Sequence, residues 1–250
     1  MHSLYQVGGS KSTRVALAVS LGGIAVLLLM RVWFLPGCDV EDNRAAKAAF
    51  ERAKAYYDKG EYDRAIADYT EAIRLKPDYA QAYCVRGLAY ADKGEYDRAI
   101  ADFTEAIRLK PDYAEAYCVR GIAYRRKREY DRAIADFTEA IRLRPDFGAA
   151  YYTRGLAYAD KGEYDRAIAD FNQAIRLEPD DAAAYSGRGV AYADKGEYDR
   201  AIADFTEAIR LSPDFGAAYW CRGLAYQAKG DEAKAKLDFE KARQLGYKPE

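Results

Sequence analysis

The chain has 250 residues, a formal charge of −1 and 14% aromatic content, with 23 tyrosines against 9 phenylalanines. Near-zero charge argues against a nucleic-acid binder that relies on a basic surface. The one histidine is His2, the cysteines form no CxxC pair, and no P-loop or GxGxxG occurs, so nucleophilic, metal and nucleotide chemistry find no support.

Residues 1–14 carry Lys11 and Arg14 ahead of an uninterrupted apolar run, Val15 to Met30, which continues past Arg31 as Val32-Trp33-Phe34-Leu35. As a helix, 15–35 would extend roughly 30 Å, about one hydrocarbon core. Three readings compete: a buried helix of the folded domain, a cleaved secretory signal, and an uncleaved signal anchor with Arg31 snorkelling beside Trp33. The repeats that begin at Ala46 are complete without this segment, and its apolar run is long for a signal peptide, so the transmembrane or signal-anchor helix is favoured. Lys11 and Arg14 then predict a cytoplasmic tail over 1–14 and repeats on the non-cytoplasmic side, periplasmic in a bacterium. Leu35-Pro36-Gly37-Cys38 looks like a lipobox, so acylation of Cys38 is the alternative attachment. Residues 36–45 read as a short tether that keeps the repeats near the bilayer.

From Ala46 onward the chain repeats itself. The stretch Ala80 to Tyr113 recurs with small changes every 34 residues, with Pro77, Pro111, Pro145, Pro179 and Pro213 marking the period. Fixed self-similarity of this length signals an array whose units bury apolar faces against their neighbours. Each unit has two helical halves. Tyr83, Gly87, Leu88 and Tyr90 recur at helical spacing in the first, and Ala99, Ile100, Phe103, Ala106 and Ile107 in the second. Gly94 opens the turn between them, Asp97 favours the second helix start, and Pro111 stops that helix.

With each unit numbered from one, this pattern resembles the tetratricopeptide repeat: Gly87 at position 8, Tyr83, Tyr90 and Phe103 at 4, 11 and 24, Ala99 and Ala106 at 20 and 27, and Pro111 at 32. Six units fit, at 46–79, 80–113, 114–147, 148–181, 182–215 and 216–249. The first has Ala49 where an aromatic is expected. The last replaces the proline beat with Gln244-Leu245-Gly246-Tyr247, and Lys234, Lys236 and Lys241 suit an outer cap. The resemblance implies an all-α, right-handed superhelical solenoid that binds a peptide or partner helix in its concave groove, without catalysis or cofactor.

Rotation of about 100° per residue places positions 4, 7, 8 and 11 on one face and 2, 5, 9, 12 and 13 on the other. The second face is expected to line the groove. Its candidate residues are Tyr57, Cys84, Leu88, Cys118, Ile122, Arg125, Arg126, Tyr152, Leu156, Val190, Trp220 and Leu224. Tyr152 and Trp220 read as aromatic anchors flanking Ser186, unless Trp220 packs against the terminal helix, and Arg125 and Arg126 read either as a solvated charge run in a turn or as a rim for an acidic partner. Cys84 and Cys118 recur one unit apart; equivalent helices lie roughly 8–10 Å apart, too far for a disulfide, so free thiols are expected. Position 7 is always arginine, from Arg52 to Arg222, and position 23 always aspartate, from Asp68 to Asp238. An arginine near a core needs a partner, and that aspartate is the candidate. The functional expectation is a membrane-tethered scaffold for a protein or peptide, without nucleic acid or metal. The alternatives are an array that self-associates and a lipid-anchored assembly factor for an envelope complex.

Overall fold

The computed structural model describes residues 38–248, which form twelve helices and no strands. In chain order these are α1 (Cys38–Tyr57), α2 (Tyr62–Leu75), α3 (Ala80–Asp92), α4 (Tyr96–Leu109), α5 (Ala114–Arg126) and α6 (Tyr130–Leu143). They continue as α7 (Gly148–Asp160), α8 (Tyr164–Leu177), α9 (Ala182–Asp194), α10 (Tyr198–Leu211), α11 (Gly216–Ala228) and α12 (Glu232–Gln244). Each odd helix pairs with the even helix after it, and each even helix packs on the next odd one, so the units stack in series as a solenoid.

The 1–14 tail and the 15–35 segment lie outside the described residues, as does the side chain of Cys38. Among the described residues no helix is long and apolar enough to cross a membrane. Within the 36–45 tether the chain is helical from Cys38 onward, where α1, a 20-residue helix, begins. Glu41 and Asp42 lie in its early turns, where negative charge complements the helix dipole.

Alanine sets the spacing inside each unit. Ala99 and Ala106 of α4 are fully buried, as are Ala82 and Ala89 of α3, so backbones approach closely and one large ring fills the space. That ring is position 24: Tyr69, Phe103, Phe137, Phe171 and Phe205 are the largest fully buried side chains. Position 8 is glycine in the second to sixth units and Ala53 in the first. A Cβ added at Gly87 would sit 2.6 Å from Phe103 Cε1, well inside van der Waals contact. The first unit solves its missing aromatic at Ala49 one residue later. Phe50 is buried, with its ring 5.5 Å from that of Tyr69 and stacked 5.0 Å from Tyr79.

The arginine at position 7 binds the aspartate at position 23 in all six units. In the third, Arg120 Nε and Nη2 donate to the two carboxylate oxygens of Asp136, both at 2.8 Å. Its remaining arm, Nη1, donates to Thr104 Oγ1 of the preceding unit at 3.0 Å. Thr104 in turn gives its own hydroxyl proton to Ile100 O at 2.7 Å, which leaves oxygen lone pairs for the guanidinium. Arg86, Arg154 and Arg222 repeat this reach to threonine, and Arg188 uses Asn172 Oδ1 instead. Burial disfavours the charged Arg120, but the hydrogen bonds and charge of Asp136 outweigh it and its pKa stays raised. The arginine thus joins three helices, two within its unit and one before it.

A second ladder joins the turns. Lys93 Nζ donates to Asp63 of the unit before it at 2.6 Å, and Lys127, Lys161 and Lys195 do the same to Asp97, Asp131 and Asp165. Lys229 and Asp199 complete the series. The turns themselves use glycine in the left-handed region, with φ +77° at Gly94, except in the third unit. There Arg128 takes the same conformation at φ 63°, and its backbone N–H still reaches Arg125 O at 2.9 Å. At the carboxyl end, Lys234, Lys236 and Lys241 are exposed as expected of a cap.

Candidate partner-binding groove

Helix geometry decides which first-helix residues stay accessible. Position 9 of the later units is the open one: Ile122, Val190 and Leu224 are 37%, 38% and 46% exposed, while Leu88 and Leu156 are half-buried. Apolar side chains recurring in line are unusual on a surface with no partner.

Position 5 behaves differently, and here the sequence expectation is corrected. Cys84 and Cys118 are only 4% exposed and pack inside the units, so neither offers surface to a partner. Tyr152 lies with its ring 5.8 Å from that of Phe171, and Trp220 lies 4.6 Å from Phe239 and 6.0 Å from Tyr247. Both aromatics are half-buried, each with its ring against the second helix of its own unit. The reason is angular. Position 5 is three residues from the glycine at position 8, about 60° around the helix, so it sits at the edge of the core. Position 6 lies about 60° beyond position 9, among the groove residues, and was missed in the sequence.

The rim arginines divide. Arg125 is not free: its Nε donates to Asp160 Oδ2 of the fourth unit at 2.6 Å. Arg126 is exposed and forms no ion pair among the described residues. Tyr57 is likewise engaged, its hydroxyl donating to Asp92 Oδ2 of the second unit at 2.5 Å. Burial and that carboxylate both push the Tyr57 pKa upward. The two contacts share one register, in which position 12 of a unit meets position 13 of the next.

Two apolar pockets open along this face, each between successive units. One, of about 390 Å³, is lined by Leu88, Tyr96, Val119 and Ile122, with Asp92 and Arg126 at its edge. The other, of about 220 Å³, is lined by Val190, Ala193, Tyr198, Cys221 and Leu224, with Phe205 beneath and Asp194 at the edge. Both use position 6 of the later unit and the tyrosine at position 17, which opens the second helix. The sequence carried a signal for that tyrosine in its strict recurrence from Tyr62 to Tyr198. Further openings lie on the turns, around Gly60, Gly162 and Gly196, and are lined by the Lys–Asp ladder; they are repeated structural features.

The cysteines are chemically quiet. Cys84, Cys118 and Cys221 are free thiols, and burial pushes Cys84 and Cys118 up to about 11. Among the described residues no group of three His, Cys, Asp or Glu side chains is arranged to hold a metal ion.

Comparison with known proteins agrees with this architecture. The tetratricopeptide repeat profile matches residues 118–182, 152–214 and 187–246, and a TPR repeat profile matches 53–94 and 87–127. No curated protein sequence matches the chain. Among solved structures, the chain is similar to MamA at 31% identity, over 64% of this chain and 94% of that one, with a TM-score of 0.58. It is similar to YrrB, described as a TPR protein with an unusual peptide-binding site, at 25% identity, over 71% and 91%, with a TM-score of 0.57. PilW, a type IV pilus biogenesis factor, shares the fold at 20% identity, over 82% and 96%, with a TM-score of 0.76. The recurring helix pairs, their spacing by glycine and ring, and matches that run from residue 53 to residue 246 place this chain in the tetratricopeptide repeat family.

Proposed function

We propose that this chain is a non-catalytic interaction scaffold that holds a peptide or partner helix of another protein in its groove. The observation that carries the reading is the pair of apolar pockets between successive units, floored by position-9 residues that remain more than a third exposed at Ile122, Val190 and Leu224. The likeness to YrrB supports a peptide ligand. Affinity capture with the full chain in detergent tests the reading, using Ile122→Glu and Leu224→Glu. Both side chains are more than a third exposed; the variants are expected to lose the partner, with circular dichroism melts checking that they keep the fold. Capture of the same partner at unchanged affinity would sink the groove assignment.

Membrane tethering belongs to the same proposal and rests on the sequence of 15–35, with the repeats placed outside the cytoplasm by Lys11 and Arg14. A reporter active only in the cytoplasm, fused after Glu250, is expected to be silent; strong activity reverses the orientation. Loss of fatty-acid labelling in Cys38→Ser would assign the attachment to that thiol instead, and would favour the lipid-anchored envelope assembly factor.

Self-association is the second reading. Leu237, on the last helix, is 66% exposed, and among the described residues Arg52 makes no hydrogen bond beyond its two to Asp68. Light scattering of residues 38–250 decides it: a monomer at high concentration removes the reading.

A further inference from the structure

Position 13 of the groove is aspartate in four units: Asp58, Asp92, Asp160 and Asp194. Two of these are answered from position 12 of the unit before. Tyr57 donates to Asp92 at 2.5 Å, and Arg125 donates to Asp160 at 2.6 Å. The same register sets Ala159 opposite Asp194, and a methyl group has nothing to donate. Among the described residues Asp194 has no hydrogen bond and no ion pair. Asp194 is an exposed residue, and partial desolvation by its neighbours raises its pKa above the ordinary value.

The uncapped carboxylate lines the 220 Å³ pocket together with Val190 and Leu224, the two most exposed apolar residues at position 9. An apolar cavity of this size takes one medium side chain, and a few polar groups at the edge fix what lies beside it. A partly desolvated carboxylate without a donor favours a ligand that brings a cation. The pocket between the second and third units has the opposite bias, because Asp92 is already held there and the free charge is Arg126.

We propose that the pocket between the fifth and sixth units reads an apolar–basic element of the partner. A leucine- or methionine-sized side chain enters the pocket, and a lysine or arginine within two residues of it pairs with Asp194. The partner's cation takes the part that Arg125 takes towards Asp160. The inference rests on the groove reading and adds the chemistry of the ligand at one end.

The test is selection of random dodecapeptides on the full chain in detergent, with Asp194→Asn and Ala159→Arg as variants. Ala159→Arg copies the Arg125–Asp160 contact and supplies the missing cap from within. The wild type is expected to enrich peptides with a basic residue within two positions of a leucine or methionine. Both variants are expected to keep the apolar preference and lose the basic one. A selected peptide, titrated by calorimetry, is expected to bind Asp194→Asn roughly tenfold more weakly, as for one charge-assisted hydrogen bond. Circular dichroism melts identify any variant that has lost its fold, and Asp194→Ser then replaces it. Apolar peptides with no basic preference, or a basic preference unchanged in Asp194→Asn, overturn this inference and leave the groove reading standing. No enrichment at all overturns both, and an Asp194-dependent dimer of the chain assigns the pocket to a second copy and overturns the inference.

Discussion

Removal of the Arg120 guanidinium is the most informative single perturbation. Its side chain is 16% exposed and that of Asp136 only 9%, so Arg120→Ala leaves a carboxylate with little water and no cation. Breaking a fully buried pair in this way costs about 3–5 kcal/mol; the residual solvent access places this one near the lower end, about 3 kcal/mol. Three further contacts are lost with it: Thr104, the ring of Tyr117 lying 5.5 Å from the guanidinium carbon, and packing along the side-chain stem. Arg120→Leu restores apolar volume and still strands Asp136, so it is expected to cost nearly as much. Arg120→Leu with Asp136→Leu removes both charges and is expected to recover most of the loss. The first unit supplies the control. Arg52 binds Asp68 with the same two hydrogen bonds, but its side chain is 55% exposed, so Arg52→Ala is expected to have little effect. Urea unfolding followed by circular dichroism measures all four variants. Equal, small losses for Arg52→Ala and Arg120→Ala would show that the interior pairs reach water and refute the reasoning.

Arg128→Gly removes a side chain from a left-handed turn position, and is expected to stabilise the array by roughly 1 kcal/mol; a lower urea midpoint would show that the Arg128 side chain offsets the strain. Gly87→Ala forces a methyl group against the Phe103 ring, and is expected to cost about 1–3 kcal/mol by overpacking. Gly87→Ala with Phe103→Leu should regain part of that, and independent additive losses would contradict the contact. Cys221 lines the groove pocket, and its thiol pKa is raised by burial and then by Asp194, which lowers the thiolate fraction at any pH below that pKa. Asp194→Asn is therefore expected to speed maleimide labelling of Cys221 at pH 7.5, as read by mass spectrometry of the labelled peptide. An unchanged rate would place the carboxylate too far away to act on the sulfur.

The periodic sequence determined most of the fold by itself. A unit repeated every 34 residues, with Gly87, Phe103 and Pro111 at fixed offsets, allows only paired helices stacked in series, because no unit can bury its apolar face alone. The Arg–Asp pairing was legible for a related reason: a charge that recurs on a core face must be answered by another that recurs with it. The groove was legible only in part. Position 9 was readable from rotation around a single helix, whereas position 5 falls on the boundary between core and groove, and only neighbouring helices decide on which side a boundary residue lies. They turned Cys84 and Cys118 inward, set the half-buried Tyr152 and Trp220 against Phe171 and Phe239, and left position 6 and the tyrosine at position 17 lining the pockets. The free charges were likewise decided by tertiary structure. Arg125 and Tyr57 are spent on aspartates of the following units, 35 residues on in the sequence, while Asp194 meets an alanine and stays open. Contacts between units depend on the register of one helix pair against the next, and a linear pattern holds that register only once the units have been stacked.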